Sequence, residues 1–322
     1  MGSHRISVAL CTYNGSRFLK EQLETIASQT VLPDELVISD DRSSDDTLAI
    51  ALDFSKRSPF PVRIFVNSEQ LGPGQNFGRA ISVCEGDMIA LADQDDIWKP
   101  EKLARLRQVL EERPDCAYVF SDAVIAHADG RPSKASLWEE VGIGEDWKDL
   151  SETDQLRLLL RHNLIPGSSM MFRASFKNVY LPIPSGWMHD YWIALLGCVF
   201  SSATAISDKV YLYRRHEGQV CGVNRKSSID TILDSIRTPE GNMWRKLDMF
   251  KKLQTRVSSV NSIFQCDISR TKLIREKELH LEVRANIRGS KGLQRLMRVY
   301  HEMLTGRYRQ YSNSWKSIIR DL

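Results

Sequence analysis

The 322-residue sequence lacks most of the features that mark membrane, secreted or metal-cage proteins. It has no run of about 18 consecutive apolar residues, so no transmembrane helix is expected. Its six cysteines (Cys11, Cys84, Cys116, Cys198, Cys221 and Cys266) are scattered and form no CxxC pair. That pattern fits buried thiols in a reducing, cytoplasmic setting better than a disulfide framework or a zinc site. No basic-then-apolar leader opens the chain, and Met1-Gly2-Ser3-His4 reads as a vector-derived scar. A P-loop, internal repeats and RNA- or DNA-binding signatures are also missing, so no nucleic-acid partner is expected.

What is present is globular in proportion, with 42% hydrophobic and 26% charged residues. The length suggests two domains, or one with an appendage. The net charge of +3 hides a division. Residues 1–222 hold 23 Lys and Arg against 31 Asp and Glu, whereas residues 223–322 hold 21 against 10. An acidic body over 5–222 and a basic tail over 223–322 are expected, with the boundary near Gly222.

The first hundred residues alternate short β-branched runs with helical periodicity. Strands are predicted at Ile6–Cys11, Leu36–Ile38, Val62–Val66 and Met88–Leu91. Between them, Phe18, Leu19, Leu23 and Ile26 recur at helical spacing, and further helices are expected over Thr47–Lys56, from Gln75 and from Pro100. Ser44 or Asp45 is a candidate cap for the second helix. Later strands are expected at Ala117–Val124, Ser168–Phe172 and Val210–Tyr213, and helices at Asp154–Arg161 and His189–Phe200. This alternation implies an α/β fold with a mainly parallel sheet covered on both faces, whose ligands bind beyond the carboxyl ends of the strands. Those ends carry TYNG, DDRSSDD, NSEQLGPG and DQDD.

Asp93, Asp95 and Asp96 crowd three carboxylates into four positions, which a hard divalent cation would relieve. A solvated acidic loop is the plain alternative. A calcium EF-hand is disfavoured because Trp98 stands where its loop needs glycine. The Gly72–Gly78 segment has the spacing GxGxxxG after the third strand, not GxGxxG after the first, so hydride transfer is a poor fit.

Taken in order, SVALCTYNGSRFLKEQLETIASQT, ELVISDDRSSDDT, NSEQLGPGQNFGRAI and GDMIALADQDDIWKPEKL resemble the nucleotide-sugar domain of family 2 glycosyltransferases, which have the GT-A fold. The DQDDIWxPxKL form looks most like the rhamnosyltransferase-like branch that builds bacterial surface polysaccharides. The resemblance implies a metal site (Mn2+ or Mg2+) at Asp93 and Asp95, completed by His216 in the segment YRRH. It implies donor contacts from Thr12, Tyr13, Asn14, Asp41, Asn76 and Gln94, with Arg214 and Arg215 neutralising a departing diphosphate. Gly167 would let substrate approach closely, with a tight turn as the alternative, and Trp187 would offer a sugar-stacking face, with core packing as the alternative. Asp190 matches the family's catalytic base; a helix cap is the structural alternative.

The implied activity is inverting transfer from a UDP- or dTDP-sugar to a glycan hydroxyl, on an O-antigen or capsule acceptor carried by a lipid. A non-catalytic binding module on the same fold and a nucleotidyltransferase are the competing readings. In the basic tail, Leu293, Leu296, Met297, Tyr300, Met303 and Leu304 fall on one helical face. Peripheral contact with the inner face of the cell membrane and homodimerisation are both open for it.

Overall fold

The computed structural model describes residues 4–219 and 241–322. Met1–Ser3, Cys221 and the expected boundary at Gly222 lie outside the described residues.

Continuous apolar runs make the central strands. β1 (Ile6–Thr12) is buried at every position, as are β2 (Glu35–Asp40) and β4 (Met88–Ala92). Such runs belong to parallel strands covered on both faces. β3 (Val62–Val66) is only half-buried and forms the sheet edge. The pairs β1/β2, β1/β4 and β2/β3 are parallel, as the alternation predicts. Helices α1 (Leu19–Ala27), α2 (Thr47–Arg57), α3 (Pro73–Val83) and α4 (Lys102–Glu112) connect or follow them. In α1 the side chains of Leu19, Leu23 and Ile26 enter the core, each contributing about 1.5–3 kcal/mol by burial.

Beyond β4 the sheet becomes mixed. The strands are β5 (Ile97–Trp98), β6 (Cys116–Ala126), β7 (Pro132–Ser136), β8 (Met170–Arg173) and β9 (Ser202–Arg214). Their order is β3-β2-β1-β4-β8-β6-β9-β5, with β7 paired to β6. β8 runs antiparallel to both β4 and β6, whereas β6 and β9 are parallel. The strand expected over Ser168–Phe172 begins two residues late, because Gly167–Ser169 forms a 3-10 turn instead.

The chain divides into two compact units. One comprises Met1–Asp149, Leu164–Gly197 and Ser201–Val223; the other comprises Leu150–Asn163, Cys198–Phe200 and Asn224–Leu322. The helix Glu152–Arg161, placed in the body by the sequence reading, therefore belongs with the C-terminal helices.

Within that second unit the helix Ile268–Arg288 is central, packing against helices Glu152–Arg161, Gly241–Val260, Gly292–Leu304 and Arg307–Tyr311. Two fully buried carboxylates join the helices. Asp321 accepts from Arg284, Arg288 and the Tyr308 hydroxyl. Glu302 is paired with His280 at 2.6 Å and with Arg307 at 2.5 Å. A buried carboxylate is tolerable only with such partners. No helix among the described residues is long and apolar enough to cross a membrane.

Candidate active site

The polar loops at the carboxyl ends of β1 and β2 are stitched to each other. The Thr12 hydroxyl donates to Asp40 Oδ2 at 2.7 Å, and the Ser43 amide and hydroxyl bond the same carboxylate. The Asn14 amide donates to Ser43 Oγ, while Asn14 Oδ1 accepts from the Ser44 amide. Asp45 accepts from the Thr47 amide at the start of α2 and from the Ser16 amide. Against the cost of burial, hydrogen bonds from Thr47 and Ser16 hold the Asp45 carboxyl down at about 2.

The loop after β3 is tied to Asp41. Its Oδ1 accepts from Asn67 Nδ2 (2.7 Å) and the Leu71 amide, and its Oδ2 accepts from the Gly72 amide, each of the latter at 2.8 Å. Asn76 is consumed in the same network: Oδ1 accepts from Asn67 and Nδ2 donates to the Ser39 carbonyl. Gly72 takes φ +79°, a left-handed conformation suited to glycine, and leads into Pro73 at the helix start. A Cβ on Gly74 would lie 2.1 Å from the Trp187 carbonyl oxygen, so the start of α3 closes directly onto the backbone leading to Asp190.

After β4 comes the acidic loop. Asp95 Oδ2 lies 2.8 Å from His216 Nε2, and the His216 ring packs on Phe18 with centroids 4.5 Å apart. Burial, then the charges of Asp96, Asp95 and Asp190, push the Asp93 carboxyl well above the usual carboxylate range; Lys102 opposes them. Thus Asp190 and His216, both distant in sequence from the Asp93–Asp96 loop, belong to its electrostatic neighbourhood. Among the described residues no three His, Cys, Asp or Glu side chains already form a metal cage. Two carboxylates and an imidazole nevertheless suit a divalent cation whose remaining ligands are phosphate oxygens and water. The raised Asp93 carboxyl is the strain such a cation would relieve.

Asp190 lies in the first turn of the helix His189–Phe200, where the N-cap position is Met188, so the capping alternative does not describe it. It is 9% exposed, and its Oδ1 accepts from the Tyr191 amide at 2.6 Å.

Several residues expected to touch substrate are instead structural. Arg214 is buried: Nε donates to the Asp95 carbonyl and Nη1 to the Ala128 carbonyl, both at 2.8 Å, and Nη2 bonds Glu21. Its guanidinium lies over the Phe18 ring. It braces the acidic loop and has little left to offer a diphosphate. Arg215 is engaged by Glu140 through both terminal nitrogens. Gln94 pairs with the Tyr13 backbone, accepting from its amide at 2.8 Å and donating to its carbonyl at 3.0 Å. Thr12 is buried with its hydroxyl committed to Asp40, and Asp41 and Asn76 are committed to the loop after β3. Trp187 is 3% exposed and packs on Tyr191 and Trp192, so it is core and not a stacking platform. The close approach at Gly167 is made by the His189 ring: a Cβ there would lie 2.3 Å from Nε2. Only Tyr13 and Asn14, of the expected donor-binding set, are exposed.

Lys102 is the residue the sequence reading missed. Fully buried, its ammonium donates to the Ser168 carbonyl at 2.5 Å and sits 3.8 Å from the Trp98 ring centroid and 4.1 Å from that of Tyr211. Burial pulls its ammonium down to about 7 while the charges of Asp96 and Asp93 oppose that fall, so its charge is tied to that of the acidic loop. A signal existed: Lys102 lies one turn before Leu106 on the buried stripe of α4, where a solvated lysine would not fall.

Comparison with known proteins agrees with this architecture. Over 222 residues the chain is 37% identical to dTDP-rhamnosyl transferase RfbG of Shigella flexneri, covering 67% of this chain and 74% of that protein. It is 28% identical over 215 residues to uncharacterized protein Rv1520 of Mycobacterium tuberculosis, covering 66% of this chain but only 59% of that protein's length. Among solved structures, the mannosyltransferase PcManGT from Pyrobaculum calidifontis, in complex with GDP-Man and Mn2+, superposes with a TM-score of 0.54 at 15% identity, covering 100% of this chain and 86% of that one. That likeness shows the GT-A fold. Residues 7–180, more than half of the sequence, match the family model Glycosyl transferase family 2, and the chain belongs to that family.

Proposed function

We propose that the chain is an inverting glycosyltransferase that moves a sugar, rhamnose or another hexose, from a dTDP- or UDP-sugar to a hydroxyl of a surface-polysaccharide acceptor carried on a lipid. The observation that carries this reading is the convergence of Asp93, Asp95 and His216 with Asp190 at the carboxyl edge of the sheet. The likeness to RfbG supports a deoxyhexose donor on a dTDP carrier, and the Mn2+ of PcManGT supports a divalent cation.

In this reading Asp190 accepts the proton of the acceptor hydroxyl as that oxygen attacks the anomeric carbon. The bond from that carbon to the diphosphate breaks on the opposite face, giving an inverted glycoside and a nucleoside diphosphate. Asp93, Asp95 and His216 would hold Mn2+ or Mg2+; when bound, the cation supplies positive charge at the departing diphosphate. Tyr13, 39% exposed at the end of β1, offers its ring to the base. Arg214, bonded to the Asp95 carbonyl, braces the acidic loop before donor arrives.

Calorimetric titration with dTDP, UDP and GDP, each with and without Mn2+, tests the donor assignment. Binding of dTDP or UDP that strengthens with Mn2+ is expected. Tighter binding of GDP, or affinity indifferent to the cation, would overturn it.

A further inference from the structure

We propose that the outer face of the helix Gly292–Leu304 is a docking surface for an anionic lipid bilayer. This goes beyond the transfer reaction and does not depend on it. An amphipathic helix ordinarily turns its apolar stripe inward. This one does the reverse. Leu293, Leu296, Met297, Tyr300, Met303 and Leu304 are all open to solvent, from 44% for Met303 to 72% for Leu293. Val299 and Glu302 face the interior instead. The helix Trp315–Asp321, packed against it, adds exposed Trp315 and Ile319. Contiguous apolar surface of this kind marks an interaction site.

The charges beside the stripe choose the occupant. Residues 289–322 contain only two acidic side chains, Glu302 and Asp321. Both are fully buried and internally paired with His280, Arg284, Arg288 and Arg307. The same stretch holds seven Lys and Arg, of which Lys291, Arg298 and Arg309 are exposed. Residues 289–322 themselves therefore present an apolar and cationic surface, with no exposed acidic side chain. Two copies meeting symmetrically through it would bring cations against cations. A bilayer with anionic headgroups answers both features: acyl chains receive the Leu and Met side chains, and headgroup phosphates receive Lys291, Arg298 and Arg309. Tyr300 and Trp315 suit the boundary between the two.

Co-sedimentation of the full chain with phosphatidylglycerol vesicles and with pure phosphatidylcholine vesicles tests this. Partition into the anionic vesicles is expected to be at least roughly tenfold stronger and to weaken as salt is raised. The double substitution Leu296→Glu with Tyr300→Glu should reduce it by roughly tenfold or more while the thermal melting curve stays in place, because both side chains project into solvent. Three results would each overturn the proposal. One is failure of the parent chain to sediment with anionic vesicles; another is equal sedimentation by the double variant. The third is a dimer in light scattering that the same substitutions dissolve without any vesicle binding, which would assign the face to a second copy.

Discussion

Asp190→Asn is expected to lower sugar transfer by roughly 10²–10⁴-fold while leaving donor affinity nearly unchanged. The asparagine Oδ1 can still accept from the Tyr191 amide, so the first helical turn keeps its hydrogen bond. What is lost is the lone pair that takes the acceptor's proton, equivalent to about 2.7–5.5 kcal/mol of barrier. Initial rates of transfer, measured beside a donor-binding titration, separate the two effects. Transfer by Asp190→Asn at the parent rate would leave Asp190 a purely structural acid and remove the base from the mechanism.

The second large effect belongs to Asp95. Its carboxylate is both half of the Asp93/Asp95 pair and the partner of His216. Asp95→Ala should cut turnover by at least about 10²–10³-fold, the usual worth of a group that stabilises charge at a leaving oxygen, and should weaken donor binding as well. Folding should survive, because Arg214 Nε bonds the Asp95 backbone carbonyl and not its side chain. In the parent protein a chelator should produce the same loss, and added Mn2+ or Mg2+ should reverse it. Full turnover in excess chelator would contradict the metal assignment.

The sequence exposed the first half of the fold because buried parallel strands are continuous apolar runs: β1, β2 and β4 could hardly be read otherwise. It concealed β7, whose residues PSKAS are polar and mostly exposed or half-buried, and β5, which is two residues long. β9 was read only at its apolar end, because the polar run Ser207, Asp208 and Lys209 interrupts the apolar pattern, although the ladder to β6 resumes at Lys209 opposite Asp122. The antiparallel insertion of β8 between β4 and β6 has no local signature at all.

At the site, residue types were legible but their partners were not. Arg214 ends β9 and Arg215 follows it, close to the acidic loop, and a sequence shows such charges as available. Glu21 and Glu140, which engage them, lie far away along the chain. The same holds for Asn76, whose amide is divided between Asn67 and Ser39. Lys102 was passed over because a lysine in a helical pattern is ordinarily read as solvated, whereas here two aromatic rings and a carbonyl enclose it. The acidic loop itself stood out because three carboxylates within four positions repel one another, a strain that a divalent cation would relieve.

The most direct test of the central claim is to supply a panel of sugar nucleotides and measure nucleoside diphosphate release from the parent chain, with and without Mn2+. The account predicts release from a dTDP- or UDP-sugar that depends on the cation and rises when a glycan acceptor is added. Release of pyrophosphate from a nucleoside triphosphate and a sugar phosphate, or binding of sugar nucleotides with no turnover of any of them, would contradict it.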